Sequence, residues 1–230
     1  YKYVRQLTQE LNEYEANDLT VTIAVNQGSI TLGGIANLDF SSGSCSGAAG
    51  DGTADPTMTF CATDTETNTA TNSVTWNFLA DFAGDVTLTI TINDGSGANV
   101  VDTLTLTITA VNDAPVNTVG SAVTTNEDVA VDISGNSIAD VDDTSLTAVT
   151  ISSTQGGTMT LVGVSGLTFA DNSGDGTADN SMTFSGTIAA INTAIATIEF
   201  TSASNDNTDA VITLLSNDGT TTDSDTIAVT

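Results

Sequence analysis

Carboxylates are the most numerous chemically active side chains of this chain. Its 230 residues include 29 acidic residues, two basic residues and no histidine, for a formal net charge of -27 at pH 7. The two bases are Lys2 and Arg5, so residues 6–230 contain no cationic side chain. Hard divalent cations prefer carboxylate and carbonyl oxygen. The charge pattern therefore predicts cation binding or an acidic surface that keeps the chain soluble, and both can hold at once.

The same composition argues against several functions. Phosphate binding needs Lys and Arg, so we expect no nucleic-acid partner. Without histidine a Ser-His-Asp triad is impossible, and the chain has no Gly-Lys-Ser/Thr nucleotide loop. Carboxylate pairs leave a glycosidase dyad open, but the acids map to turns and aromatic residues make up only 5%. We therefore expect no enzymatic activity, and no apolar run reaches the ~18 residues of a membrane span.

One acidic loop has the spacing of a calcium-binding loop. The stretch "DNSGDGTADNSM" (171–182) places oxygen-bearing side chains at EF-type ligand positions. These residues are Asp171, Ser173, Asp175 and Asp179. The twelfth position holds Met182, where the motif requires a bidentate glutamate. A Gly- and Asp-rich hairpin loop is the competing interpretation.

Cys45 and Cys61 are the two cysteines of the chain and lie in a Gly/Ser-rich setting. We favour a disulfide between them, and the alternative is two unpaired thiols in a reducing compartment. With no histidine and no further cysteine, a thiolate metal site has too few ligands.

The chain contains an internal repeat. The stretch "GDGTADPTMTF" (50–60) matches "GDGTADNSMTF" (174–184), and "DVTLTITINDG" (85–95) matches "DAVITLLSNDG" (209–219), both at an offset of 124. The matched stretches agree in order, spacing and residue type. This agreement predicts two copies of one structural unit.

The elements of each copy are predicted to be mainly strands. "VTLTITI" (86–92) and "DTLTLTITA" (102–110) alternate apolar residues with threonine, which is typical of half-buried antiparallel strands. "NDG" supplies the turn of the last hairpin in each copy. Trp76 and Phe200 lie 124 residues apart and are predicted to be core aromatics. Several short strands with regular turns predict a β-sandwich.

Two segments have a helical pattern. Isoleucines at spacings of three and four predict a short helix in 187–198, whereas the polar counterpart 63–74 suits a short helix or an irregular crossover. Residues 1–16 are predicted to form an amphipathic helix that could serve in assembly. The apolar face of that helix comprises Val4, Leu7, Leu11 and Tyr14.

The stretch "VNDAPV" (111–116) marks the boundary between the repeats, because Pro115 cannot donate to a β-ladder and so ends the preceding strand. The predicted domains are a helical segment 1–16, a first β-sandwich 17–113 and a second β-sandwich 114–230.

Four motifs give the chain a family resemblance. They are "VNDAPV", "TNEDVAVDI" (125–133), "DVDD" (140–143) and the "NDG" of the last hairpin. In this order they resemble the cadherin-like and Ig-like tandem repeats of large bacterial RTX-type surface adhesins, over residues 17–230. The resemblance implies an all-β fold of two tandem antiparallel Ig/cadherin-like β-sandwiches.

The resemblance also implies Ca²⁺ at the junction of the two repeats. Matched by motif, the implied ligands are Asn112, Asp113, Glu127, Asp140, Asp142 and Asp218. If the sandwich topology holds, these sequence-distant acidic stretches converge at one end of the second repeat, where a cation would offset their repulsion. The alternative is an acidic, flexible linker with ordinary Asx turns.

The leading functional hypothesis is a secreted or cell-surface adhesin stalk module that contacts neighbouring repeats. One alternative is a pilin-like filament subunit, assembled through the N-terminal helix or through strand donation. A further alternative is a module that binds a carbohydrate or surface ligand.

Overall fold

The computed structural model describes residues 19–41 and 45–230. The helix predicted for residues 1–16, with its face of Val4, Leu7, Leu11 and Tyr14, lies outside the described residues. The chain divides into two compact units, Tyr1–Ala110 and Val111–Thr230. This division falls slightly before the boundary predicted after residue 113.

The first unit consists of six strands and one helix among its described residues. They are β1 (Leu19–Val25), β2 (Ser29–Leu32), β3 (Thr57–Ala62), α1 (Asp64–Thr71), β4 (Val74–Asn77), β5 (Gly84–Asn93) and β6 (Val100–Ile108). One sheet has the strand order β3-β1-β5-β6, and the other contains β2 and β4.

The second unit repeats this framework and adds strands before it. Its elements are β7 (Val116–Thr118), β8 (Val131–Ser134), β9 (Ser137–Ala139), β10 (Ser145–Ser153), β11 (Thr158–Leu161), β12 (Leu167–Phe169), β13 (Ser181–Thr187), α2 (Ile188–Ile195), β14 (Thr197–Thr201), β15 (Ala210–Asn217) and β16 (Thr222–Val229). The sheets have the orders β12-β13-β10-β15-β16, β11-β14-β8 and β7-β9.

Each unit is a β-sandwich because alternate residues of its facing sheets share one core. In the second unit, Ile151 and Phe184 from the larger sheet pack in the same buried cluster as Met159 and Phe200 from the smaller sheet. The named strands pair antiparallel. The outward positions in the middle of β5 are Thr87, Thr89 and Thr91, whereas those of β15 include the exposed Val211 and Leu215. The predicted all-β, antiparallel sandwich fold is confirmed.

The two repeats match element by element. Val21 lies opposite Phe60 in β1–β3, as Val149 lies opposite Phe184 in β10–β13. The helix predicted within 187–198 is α2, and its polar counterpart is also helical. Helix α1 begins with a capping box in which Thr63 and Glu66 bond each other's backbone N–H groups.

Two further local predictions are confirmed. The "NDG" turns join β5 to β6 and β15 to β16, and Gly95 and Gly219 both have positive φ, which glycine adopts without strain. Cys45 and Cys61 form a disulfide across a sequence separation of 16. Neither described helix has the length and apolar character needed to cross a membrane.

In the second unit, residues that precede the shared framework pair with both of its sheets. In the second unit, β8 adds to the free edge of β14, with Val131 opposite Phe200. Val123 forms a parallel bridge with Val229 at the end of β16. Residues 123–134 therefore cover both sheets of the second unit along one side.

Candidate metal centre

Three carboxylates meet at one end of the second unit. Asp140 and Asp143 lie in the loop between β9 and β10, and Asp218 lies in the β15–β16 hairpin. One carboxylate oxygen from each lies within 4.8 Å of the other two. Among the described residues this is the one such group of three or more. The arrangement concentrates negative charge where no basic side chain is available, since the bases are Lys2 and Arg5.

Asp218 is held rigidly by its own hairpin and by Asn112. Its Oδ1 accepts hydrogen bonds from the N–H groups of Thr220 (2.5 Å) and Thr221 (2.7 Å). Its Oδ2 accepts from Asn112 Nδ2 (2.8 Å) and from Thr221 Oγ1 (2.7 Å). The amide of Asn112, followed by these backbone N–H groups, holds the pKa of Asp218 far below its usual range. Asp218 therefore stays ionised at neutral pH, so its own protonation does not relieve the charge of the group.

Asp140 presents one satisfied oxygen and one unsatisfied oxygen. Its Oδ1 accepts hydrogen bonds from the N–H groups of Asp142 and Asp143, each at 2.9 Å. Its Oδ2 is buried and has no hydrogen-bond partner. A buried carboxylate oxygen without a partner is unfavourable, and native structures contain few of them. A cation coordinated by this oxygen would satisfy it.

The segment that opens the second unit is attached to the same end. Asn112 Nδ2 donates to Asp218 Oδ2 and to the carbonyl oxygen of Asp113 (2.8 Å). The backbone N–H of Asp113 donates to Asp142 Oδ2 at 2.6 Å. Pro115, which follows, is buried. The opening segment is thus bound to both acidic loops through carboxylates.

The structure brings together five of the six residues that the family resemblance implied as ligands. They are Asn112, Asp113, Asp140, Asp142 and Asp218. Asp142 is not part of the group of three, and its carboxylate accepts the N–H of Asp113. Asp143, which the sequence reasoning missed, takes that place. The motif "DVDD" offered the signal, since it contains an Asp-x-x-Asp spacing as well as an Asp-x-Asp spacing.

Glu127 is not brought to this group. It lines a surface cavity of about 340 Å³ together with Asp206, Phe200 and Thr230. This cavity adjoins Ala210 at the start of β15, whereas Asp218 follows the end of that strand. The expectation that Glu127 joins the junction ligands is corrected, because the residue precedes β8 at the opposite end of the sandwich.

The EF-type loop, with Asp171, Ser173, Asp175 and Asp179, does not bring three carboxylates together among the described residues. Asp179 Oδ2 accepts N–H bonds from Asp175 (2.9 Å) and Gly176 (2.8 Å), and Ser173 Oγ donates to backbone carbonyls. Asp55 accepts the equivalent N–H bonds in the first unit. This shared geometry favours the hairpin-loop interpretation.

The counterpart of Asp218 in the first unit is Asp94, and its surroundings are simpler. Its carboxylate accepts the N–H (2.9 Å) and the hydroxyl (2.8 Å) of Ser96. These two bonds lower the pKa of Asp94, the backbone bond contributing most. No second carboxylate loop joins it among the described residues of this unit.

No protein-family model and no curated protein matches the chain significantly. Among solved structures, the C-terminal domain of the Streptococcus pyogenes antigen I/II-family protein AspA is 8% identical, with a TM-score of 0.27, over 98% of this chain and 86% of that one. The Protocadherin GammaB4 extracellular domain is 14% identical, with a TM-score of 0.31, over 91% of this chain and 27% of that one. An endo-fucoidan hydrolase of glycoside hydrolase family 107 is 15% identical, with a TM-score of 0.21, over 91% of this chain and 23% of that one.

These likenesses are too distant to assign a family or an activity. The antiparallel sheets and the core of each unit establish the fold, and the acidic group of the second unit is the feature that bears on function.

Proposed function

We propose that this chain is an extracellular structural module of tandem β-sandwich repeats, part of a surface adhesin stalk, whose second repeat binds Ca²⁺ beside Asp140, Asp143 and Asp218. One observation carries the proposal. Asp140 Oδ2 is buried and unpartnered within a group of three carboxylates. A bound cation would satisfy that oxygen and offset the repulsion among the three side chains.

The available donor atoms favour calcium over other metals. The chain has no histidine, and both of its cysteines are in the disulfide, so the nitrogen and sulfur ligands that zinc prefers are missing. Magnesium demands near-octahedral geometry and keeps several waters. Calcium accepts six to eight oxygen ligands in flexible geometry. Three carboxylates with the neighbouring amide and carbonyl oxygens of Asn112 and Asp113 suit that preference.

Ion binding at this site would restrict the segment that opens the second repeat. Asn112 and Asp113 already bond to Asp218 and Asp142. A cation that neutralised the acidic loops would strengthen this attachment, since the loops would no longer repel each other. In a surface protein made of such repeats, the result is a chain whose bending depends on calcium. This role requires no catalysis.

An extracellular location is supported by the disulfide of the first unit. Disulfides such as Cys45–Cys61 persist in oxidising compartments and are rare in the reducing cytosol. Calcium sites with a Kd in the millimolar range are also typical of extracellular modules.

Calorimetry of the full chain with Ca²⁺ and with chelator tests the proposal. Ligand that binds only the folded state stabilises it by about 2.7 kcal/mol at a hundredfold excess over Kd. We expect Ca²⁺ to raise the Tm of the second unit and to leave that of the first unit unchanged. Asp140→Asn and Asp143→Asn should abolish the increase.

Asp94→Asn is the matched control, because it changes the equivalent hairpin of the first unit and should leave the calcium response intact. A Tm that is the same with Ca²⁺ and with chelator would refute the calcium proposal. A response abolished by Asp179→Ala, but not by Asp140→Asn, would move the site to the 171–182 loop.

A further inference from the structure

The first unit exposes apolar residues where the second unit buries them. Val86 lies opposite Leu106 in β5–β6, as Ala210 lies opposite Val229 in β15–β16. Val86 and Ala210 are 124 residues apart, so Leu106 and Val229 occupy equivalent positions. Leu106 is 43% exposed, whereas Val229 is 4% exposed. The side chain at this equivalent position is thus exposed in the first repeat and buried in the second.

The smaller sheet of the first unit is open on the same side. Strand β4 pairs with β2, and no described strand adds to its other edge. In the second unit that edge of β14 is occupied by β8. Trp76 on β4 is consequently half-buried, whereas its equivalent Phe200 is 1% exposed. We call the surface formed by Val74, Trp76, Leu104 and Leu106 the open seam.

The second unit indicates which part of a chain covers such a seam. There, residues 123–134 cover β16 and β14, and they lie shortly before β10, the first strand of the shared framework. The corresponding place in the first repeat is the stretch before β1, which is residues 1–18. Contiguous exposed apolar surface is a feature of interaction sites.

The composition of residues 1–18 complements the open seam. They contain Lys2 and Arg5, the two basic residues of the chain, and the apolar series Val4, Leu7, Leu11 and Tyr14. Asp102 lies on the same face of β6 as Leu104 and Leu106, since alternate strand residues share a face. The described part of the first unit offers this acid no basic partner.

We propose that residues 1–18 bind to the open seam of their own chain, with the apolar series against Trp76 and Leu106 and the basic residues near Asp102. This assignment is independent of the calcium site, which lies in the second unit. It gives the first repeat a covering segment of unrelated sequence in the place where the second repeat uses residues 123–134.

Trp76 is the single tryptophan of the chain and reports directly on the open seam. In the full chain, Leu7→Asp should shift Trp76 emission to longer wavelength and increase its quenching by acrylamide. Gln9→Asp is the matched control, because it adds the same charge to the same segment outside the apolar series. Equal emission and quenching in the two variants would overturn the proposal.

Cross-linking identifies the copy that supplies the segment. Both native cysteines are in the disulfide, so Leu7→Cys with Leu106→Cys introduces the two reactive thiols. Tethered groups meet at an effective concentration of about a millimolar, so cross-linking within one chain should be independent of micromolar protein concentration. We expect a cross-linked monomer, formed faster than in the Gln9→Cys/Leu106→Cys control.

The other outcomes are equally decisive. A concentration-dependent dimer would overturn binding within one chain and would identify the open seam as an interface between copies. Equal rates in the two cysteine pairs would overturn binding by the apolar series altogether.

Discussion

The two repeats share a framework of strands and one helix but differ along one side. In the second repeat, β8 and the bridge at Val123 close the sandwich, whereas the described part of the first repeat leaves β4 and β6 uncovered. The framework strands are nonetheless in the same register in both. The shared core of each repeat therefore determines the fold, and in the second repeat the segment before β10 covers surfaces that the described part of the first repeat leaves exposed.

The two "NDG" hairpins show the same contrast at the level of one side chain. Asp94 and Asp218 occupy equivalent turns, and in each the carboxylate caps the turn that follows it. Only Asp218 also receives a bond from Asn112 and lies within reach of Asp140 and Asp143. Identical local sequence thus yields a plain turn in one repeat and part of a candidate cation site in the other. The difference comes from residues distant in sequence.

The largest effect should come from the equivalent core aromatics. Phe200→Ala removes a fully buried ring and should lower the free energy of unfolding of the second unit by about 3–5 kcal/mol. Trp76→Ala should cost the first unit less, because its ring is only half-buried. Urea unfolding followed by far-UV circular dichroism measures both, since Trp76→Ala removes the fluorescent probe. Equal losses would mean that Trp76 is as well covered in solution as Phe200.

The disulfide should affect one repeat alone. Cys61 corresponds to Ser185 in the second unit, which has no disulfide among its residues. A disulfide that closes a loop of about 15 residues stabilises by about 3 kcal/mol in the chain-entropy model. In calorimetry, we expect Cys45→Ser/Cys61→Ser, or reduction of the disulfide, to lower the Tm of the first unit and to leave the Tm of the second unit unchanged. A simultaneous shift of both transitions would show that the units unfold cooperatively.

The paired hairpin loops should respond alike. Asp55 and Asp179 each accept backbone N–H bonds that close equivalent loops. Removing a charged acceptor costs about 1.5–3 kcal/mol, so Asp55→Ala and Asp179→Ala should destabilise their own units by similar amounts within that range. Chemical denaturation with and without Ca²⁺ measures both. A calcium-dependent loss in Asp179→Ala alone would restore the EF-type interpretation of residues 171–182.

Local patterns were sufficient to predict most of the fold. Period-two alternation predicted strands such as β5, the isoleucine spacing predicted α2, and the offset of 124 predicted the repeat. These features depend on neighbouring residues, so they can be read from sequence. The polar stretch 63–74 left both a helix and an irregular crossover open, because α1 has no apolar stripe and begins instead with the Thr63–Glu66 capping box.

The candidate site was only partly predictable because it depends on the direction of individual side chains. The motif "DVDD" predicted an acidic loop, but only the folded loop shows that the carboxylate of Asp143, and not that of Asp142, lies with those of Asp140 and Asp218. Glu127 was implied as a ligand by the motif "TNEDVAVDI", at the strand that opens the second repeat. Strand topology separates it from the group, since Glu127 and Asp218 lie at opposite ends of β15.

The smallest expected effect is a loss of stability at acid pH, and its size should differ between the Asp94 and Asp218 hairpins. Both Asp94 and Asp218 have a lowered pKa, and the shift of Asp218 is the larger because Asn112 adds to its backbone bonds. A carboxyl group whose pKa is lower in the folded state contributes stability above its unfolded pKa of about 3.9. That contribution is lost as the pH falls below this value through the folded pKa. The second unit should therefore lose stability on acidification below pH ~4.

Asp218→Asn should flatten this acid dependence in the second unit, and Asp94→Asn should produce a weaker flattening in the first. Calorimetric Tm values between pH 7 and pH 2 in chelator, so that calcium does not contribute, measure both effects. If Asp218→Asn left the acid slope of the second unit unchanged, the bonds from Asn112, Thr220 and Thr221 would not be favouring the charged carboxylate. The additional bond from Asn112 to Asp218 would then make no measurable difference to the stability of the second unit at acid pH.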